Sequence, residues 1–372
     1  MQIILFIKKY YICRHININF KKMNNKLRNI LTLSLALLST VSFAQSFDLD
    51  SRTRVNMHGD NSMNLTEQRT TVSTSMGGES WGIHLSSDVN FMHQDGTNGV
   101  LTAGVYEAYA KTNLFSFADM TIGRQAWDFG SGALIGSNQW NAVRTTRDGM
   151  LFDIDNDLVD LSLGYSIYNE GSAGEEDWTY TLINAAKNFG DITANLLVIQ
   201  QNDGMGDELT ATGLDLGYSA MGGALDLSLG MNRVSMGDDE MEMTMIGATY
   251  NISDDLSVSA SQTTYGEQGF ALLGTNLGNG QDSWLTHGNL GYLGADDEQL
   301  SIGVDYNMGG IDLSYTMHTI TNANNDDEYT ASELMVGYSL NDNAALALKY
   351  ATSDLYNVDG DDYMWLTLSV TP

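Results

Sequence analysis

The sequence predicts an all-β fold, a transmembrane antiparallel β-barrel of about eighteen strands, with sixteen as the alternative. Three observations carry this. Apolar and polar residues alternate over short segments along most of the chain, the connections between segments alternate between short and long, and the only proline is the last residue, Pro372. A chain of 372 residues with no internal proline suits a fold in which nearly every backbone N–H belongs to a strand ladder that proline would break.

The alternation defines strands with two unlike faces. In "LSLGYSIY", Leu161, Leu163, Tyr165 and Ile167 share one face, and Ser162, Gly164 and Ser166 the other. "LDLSLGM" (225–231), "LSIGVDY" (300–306) and "IDLSYTM" (311–317) repeat the pattern. Short connections fall near 77–80, 115–117, 153–157, 188–190, 219–223, 251–255, 307–310 and 339–343. Long polar ones fall near 58–64, 93–100, 127–145, 169–176, 201–208, 235–240, 267–298, 319–329 and 353–361. Both chain ends then lie on the short-turn side, the plan of a bacterial outer-membrane barrel. Aromatic residues recur just before short turns, at Phe152, Tyr218, Tyr250, Tyr306 and Tyr338, where an interfacial girdle would sit.

The N-terminal part reads differently. From Met23 the chain has a basic stretch (Lys26, Arg28), an apolar core over 30–38 and the small-residue site Ser42-Phe43-Ala44. This is the pattern of a secretory signal peptide, and with the preceding extension it makes residues 1–44 a leader and 45–372 one barrel. The apolar core is too short for a spanning helix. Residues 45–372 hold ten basic residues against 47 acidic ones, a balance of −37, and no cysteine. That charge excludes a nucleic-acid partner, and the missing thiol excludes disulfide or cysteine-metal chemistry.

The scarce positive charge is unevenly placed. Seven of the ten basic residues lie between 52 and 147. On strand one, "FDLDSRTRVNM", Phe47, Leu49, Val55 and Met57 oppose Asp48, Asp50, Arg52, Arg54 and Asn56. A lipid-facing arginine at mid-depth costs about 2–4 kcal/mol, so Arg52 and Arg54 face the lumen. The same parity turns Glu67, Arg69, His84, Asp88, Asn90, Glu107 and Lys111 inward. Later strands place Asp215, Asp226, Asp305 and Asp312 inward, an acidic wall opposite a basic one. Arg144 lies in the long connection 127–145, Arg147 and Asp148 follow it, and its "ALIG" and Trp127 and Trp140 suit burial better than open water. Folded inward, it would narrow the pore beside charged side chains, which is how pores select ions. Strict alternation aims Arg124 at lipid, so that either a bulge near Gly123 turns it inward or it reaches interfacial phosphates.

The run from 123 to 149 carries Gly123, Arg124, Gln125, Leu134, Ile135, Gly136, Trp140, Arg144, Asp148 and Gly149. This resembles the signature of the alginate-export-type outer-membrane porin family. The resemblance implies a monomeric eighteen-stranded barrel with an arginine-rich constriction for anionic uronate polymers or related anions. It also implies that Arg124, Arg144 and Asp148 belong to that constriction.

Other chemistry finds little support. Asp153-x-Asp155-x-Asp157 lacks the glycine and glutamate of a calcium loop and reads as a turn. His58, His84, His93, His287 and His318 are scattered without metal spacing, and no nucleophile–base pair stands out. The acidic triplets at 238–240, 296–298 and 326–328 read as solvated outer-loop charge, or as points gathering cations among lipopolysaccharide phosphates. The expectation is therefore a passive channel in the outer membrane of a Gram-negative cell, without cofactor, metal or enzymatic activity, touching lipid and lipopolysaccharide and passing a small anionic or polar oligosaccharide. A general, weakly selective or cation-preferring porin and a structural or adhesive surface barrel are the alternatives. The connection 267–298 is long enough for an outer lid.

Overall fold

The computed structural model describes residues 46–57, 65–93, 99–154, 156–168, 178–202, 208–270, 282–324, 327–355 and 361–371. The expected leader, most of the outer connections near 58–64, 169–176 and 201–208, His58, Asp155 and Asp326 lie outside the described residues. The strands are β1 Ser46–Asn56, β2 Leu65–Gly77, β3 Trp81–His93, β4 Val100–Leu114, β5 Ala118–Gln125, β6 Arg147–Ile154, β7 Asp160–Tyr168, β8 Trp178–Phe189 and β9 Ile192–Asn202. They continue as β10 Glu208–Ala220, β11 Leu225–Met236, β12 Asp239–Ser253, β13 Leu256–Tyr265, β14 Asp297–Met308, β15 Ile311–Asn322, β16 Glu328–Asn341, β17 Ala344–Ser353 and β18 Asp361–Val370. Among the described residues one short helix, α1 (Asp282–Thr286), precedes β14.

Each strand pairs antiparallel with its sequence neighbours, and β1 pairs with β18 from Ser51↔Val370 to Asn56↔Trp365. The sheet is thus an eighteen-stranded closed barrel without a free edge. Closure is what permits strands to cross a bilayer, since every ladder group is then paired. The predicted outward residues Leu49, Tyr165, Leu227, Ile302 and Leu313 are exposed, as a lipid-facing surface requires. The girdle residues Tyr218, Tyr250, Tyr306 and Tyr338 are exposed at matching strand ends.

Three local features differ from the sequence reading. The connection near 235–240 is a tight turn, because β11 runs to Met236 and β12 begins at Asp239, with Gly237 at φ 62° making the reversal. Polar Asp-rich composition suggested a long loop, but one left-handed glycine suffices for a hairpin. Asp297, expected as solvated charge, is fully buried, accepting the Gly294 N–H at 2.8 Å and the Asn322 amide at 2.8 Å. The described part of the connection before β14 is packed inside rather than forming only an outer lid, and Trp284 on α1 is 0% exposed.

A bulge on β4 also matters. Ser86 pairs with Glu107 but Ser87 with Val105, so Tyr106 is the extra residue. Val105 points outward, while Tyr106 and Glu107 both face the lumen. The bulge lets two neighbouring side chains meet the loop described next.

Candidate functional site: a lumen narrowed by an inward-folded loop

The connection between β5 and β6 (loop 3, residues 126–146) crosses the barrel interior. Its first part lies against β7 and β8, where Trp127 is 2% exposed beside Gly164 and Leu182. Its tip reaches β10, where the Ser131 N–H donates to Asp215 at 2.9 Å. Leu134 then sits over Gly213, and a Cβ there would come within 2.9 Å of Leu134 Cδ1. The inward glycines of β7 and β10 are therefore notches that receive the apolar part of the loop. Ala133, Leu134 and Ile135 are all buried.

The returning half meets the second inward connection (loop 7, residues 266–296, described over 266–270 and 282–296). The Tyr292 hydroxyl donates to the Ala133 carbonyl, the Asn138 amide to the Thr286 carbonyl at 3.2 Å, and the Trp140 indole N–H to the Leu285 carbonyl at 3.1 Å. Trp140 lies edge-on to Trp365 with ring centres 5.2 Å apart, and Trp365 and Trp284 both stack with Tyr363. These aromatic rings are packing for the two loops.

Positive charge fixes the rest of loop 3. Arg52 and Arg69 are directly opposite on β1 and β2, a placement that alone would be repulsive. Loop carbonyls offset it. Arg52 donates to Gln139 O at 3.0 Å, and Arg69 donates to Gln139 O at 3.1 Å and Asn141 O at 2.8 Å. Arg54, 2% exposed, pairs with Glu67, donates to Trp140 O and lies 4.0 Å from the Trp140 ring centre. Arg144 reaches β3 and makes a two-point contact with Asp88, at 3.0 and 2.6 Å, and donates to Thr71 at 3.0 Å. Its guanidinium covers Tyr106 at 3.3 Å, and Arg147 on β6 lies over Tyr180 at 4.4 Å.

The remaining sequence-predicted residues are spread along the wall. Lys111 lies across Gly82 on β3, inside the barrel. Asp226 accepts from the Asn251 amide, Asp312 from Asn307, and Asp305 and Asp312 line a cavity of about 310 Å³ with Asp254 and Asp255. Arg124 and Asp148 do not join the constriction. The β4–β5–β6 ladder runs without a register shift through Gly123, with Arg124 opposite Ala108 and Asp148. Tyr109 stacks on His84 inside the lumen, so its neighbour Ala108 points outward, and Arg124 and Asp148 point outward with it. Alternation decides their direction, and no bulge overrides it.

Some interior residues escaped the sequence reading. His318, Glu333 and Lys349 form a cluster on β15, β16 and β17, with Lys349 Nζ 2.5 Å from Glu333 and His318 Nε2 3.4 Å from it. Alternation in "AALALKYATS" places Lys349 inward with Ala347 and Ala351, so the signal was there. Gln139, which bonds Tyr106 and Arg144, gives no such signal, because its role depends on loop conformation.

Comparison with known proteins agrees with this geometry. A family model described as Gram-negative porin matches residues 32–357. Solved structures of similar fold include Pseudomonas aeruginosa OccK5 (OpdH), at 12% identity over 87% of this chain and 97% of that one, TM-score 0.66. P. aeruginosa OprD matches at 12% identity over 89% and 94%, TM-score 0.66, and Acinetobacter baumannii OccAB2 at 13% over 89% and 99%, TM-score 0.65. No curated protein sequence matches the chain. The match is to the porin family broadly and does not single out the alginate-export type. With a closed eighteen-stranded barrel, a lipid-facing apolar surface and a loop folded into the lumen, the chain belongs to the Gram-negative porin family and is located in the outer membrane.

Proposed function

We propose that the chain is a passive diffusion channel for small anionic or polar solutes, oligosaccharides of the alginate-export kind among them. One observation supports this above others. Arg52, Arg54, Arg69 and Arg144 converge on loop 3, and the carboxylates paired with these four are Glu67 and Asp88. The surplus is positive where loop 3 crosses the lumen of a chain that is otherwise strongly acidic. Arg52 and Arg147 keep partial exposure and are placed to meet a solute, while Arg54 and Arg69 serve chiefly to hold the loop. The inward Asp215, Asp226, Asp305 and Asp312 give the opposite wall the opposite sign, so a dipolar or anionic solute crosses oriented. The crystal structure of P. aeruginosa OpdK with vanillate offers a carboxylate precedent in a barrel of similar fold, at 13% identity and TM-score 0.64. Reversal potentials of the purified channel in a salt gradient test the reading. Anion preference that falls on Arg52→Ala and Arg147→Ala supports it. Cation preference unaffected by either change favours a general porin, and no conductance favours a structural barrel.

A further inference from the structure

Glu67, Asp88 and Glu333, which face the lumen beside loops 3 and 7, are each ion-paired with arginine or lysine. Nearer the short turns the pattern changes. Asp119 is the second residue of β5, Asp153 the last but one of β6, Asp226 the second of β11 and Asp312 the second of β15, while Asp305 stands three residues before the end of β14. Parity turns all of them inward. Asp312 shares a face with His318, Asp305 with Ser301, which bonds that imidazole, and Asp226 with the fully buried Val234. Asp119 shares one with the buried Gln125, and Asp153 with Arg147, which lies over Tyr180. The groups that bond them are neutral. Asp119 accepts from the Asn113 amide at 2.9 Å, Asp153 from the Ser162 hydroxyl at 2.6 Å, Asp226 from the Asn251 amide at 3.1 Å and Asp312 from the Asn307 amide. Such bonds leave the carboxylate charge in place. Lys111 is the one lumen-facing cation at this level among the described residues.

We propose that these aspartates act as a second filter at the short-turn mouth, opposite in sign to the arginines at loop 3, so that the pore is electrically polar along its axis and rectifies. This deepens the channel reading above and rests on it. Strand β1 gives the scale, because it carries both signs on its inward face. From Asp48 to Arg54 is six residues, about 20 Å of strand, or about 15 Å along the axis of a barrel whose strands tilt by about 40°. The Debye length at 0.1 M salt is about 10 Å, so the two zones act on mobile ions separately. The arginine zone favours anions and the carboxylate zone cations. With the short-turn side positive, anions enter through the arginines and cations through the carboxylates, and both accumulate between the zones. Under the opposite voltage each zone turns away the ion that arrives at it, the space between is depleted, and the current falls. The conducting sense is the one that carries anions from the long-loop side to the short-turn side.

The test is the current–voltage curve of the purified full chain in planar bilayers, with the same potassium chloride solution on both sides. A bulky thiol reagent on Glu79→Cys, in the exposed turn between β2 and β3, identifies the chamber that the short turns face. At about 0.1 M salt the larger current is expected with that chamber positive. At about 1 M, where the Debye length is about 3 Å, the asymmetry is expected to vanish. The combined change Asp226→Asn, Asp305→Asn and Asp312→Asn keeps shape and hydrogen-bond acceptors while removing charge, and is expected to bring the two currents toward equality. The corresponding Asp→Glu changes are expected to retain the asymmetry. Equal currents in the wild type at low salt, asymmetry in the opposite sense, asymmetry that persists at about 1 M, or rectification untouched by the asparagine changes overturns the proposal and leaves the channel reading standing. Silence at every voltage overturns both.

Discussion

Arg144 in loop 3 reaches Asp88 on β3 through two hydrogen bonds, 3.0 and 2.6 Å long, with both side chains more than nine-tenths buried. Fifty-six residues separate them in sequence. The pair fixes the returning half of the loop to the wall, and Tyr106, pushed inward by the β4 bulge, forms the floor beneath the guanidinium.

Removing one partner leaves the other charge buried. Asp88→Ala is expected to destabilise the barrel or detach the loop at a cost of about 3–5 kcal/mol. Single-channel conductance should rise as loop 3 leaves the lumen, and the gel-mobility transition on heating should shift down. The double variant Asp88→Ala with Arg144→Ala should cost less than Asp88→Ala alone, because no unpaired charge remains.

Loop 3 also depends on the inward glycines. Gly213→Leu places atoms where Leu134 lies, and overpacking of this kind costs about 1–3 kcal/mol. The strand itself tolerates leucine, so barrel assembly should survive. Hydrogen exchange at 131–136 should accelerate, while exchange across β10 and β11 stays slow.

The two charged walls make opposite predictions. A unit charge about 4 Å from a solute in a water-like medium is worth about 1 kcal/mol, or about fivefold in a permeability ratio. Arg147→Ala should move that ratio toward cations by up to this amount. Asp305→Asn, on the other wall, should move it toward anions. Reversal potentials at low salt read both, and the shifts should shrink at high salt.

Loop 7 carries a pH dependence. Burial holds the His287 imidazole below its ordinary value, and its Nδ1 lies 2.7 Å from the Thr286 hydroxyl. A base whose folded pKa is depressed favours docking above the unfolded value of about 6.5, and that contribution is lost as pH falls toward the folded value. Protection of the amides over 283–293, measured against the intrinsic exchange rate at each pH, should therefore fall as pH drops below about 6.5, and His287→Gln should flatten the response.

Much of this was legible in the sequence for a simple reason. A barrel in lipid ties side-chain direction to residue parity, so alternation alone places Arg52, Arg54, Arg69 and Lys111 inside and aims Arg124 outward. The motif resemblance put Arg124 and Asp148 in the constriction, and parity was the better guide. The hairpin at Gly237 was hidden because Asp-rich composition marks turns of any length. The inward fold of loop 7 and the carbonyl bonds from Gln139 and Asn141 to Arg69 were not readable, because they join segments far apart in sequence through backbone groups that carry no residue signature.

The most direct test of the constricted barrel is single-channel recording of the wild-type chain beside a variant whose residues 128–143 are replaced by a short Gly/Ser linker. The wild type should show discrete openings, and the variant larger steps with weaker ion preference. Identical conductance and selectivity in the two, or silence in both, would contradict a lumen gauged by loop 3.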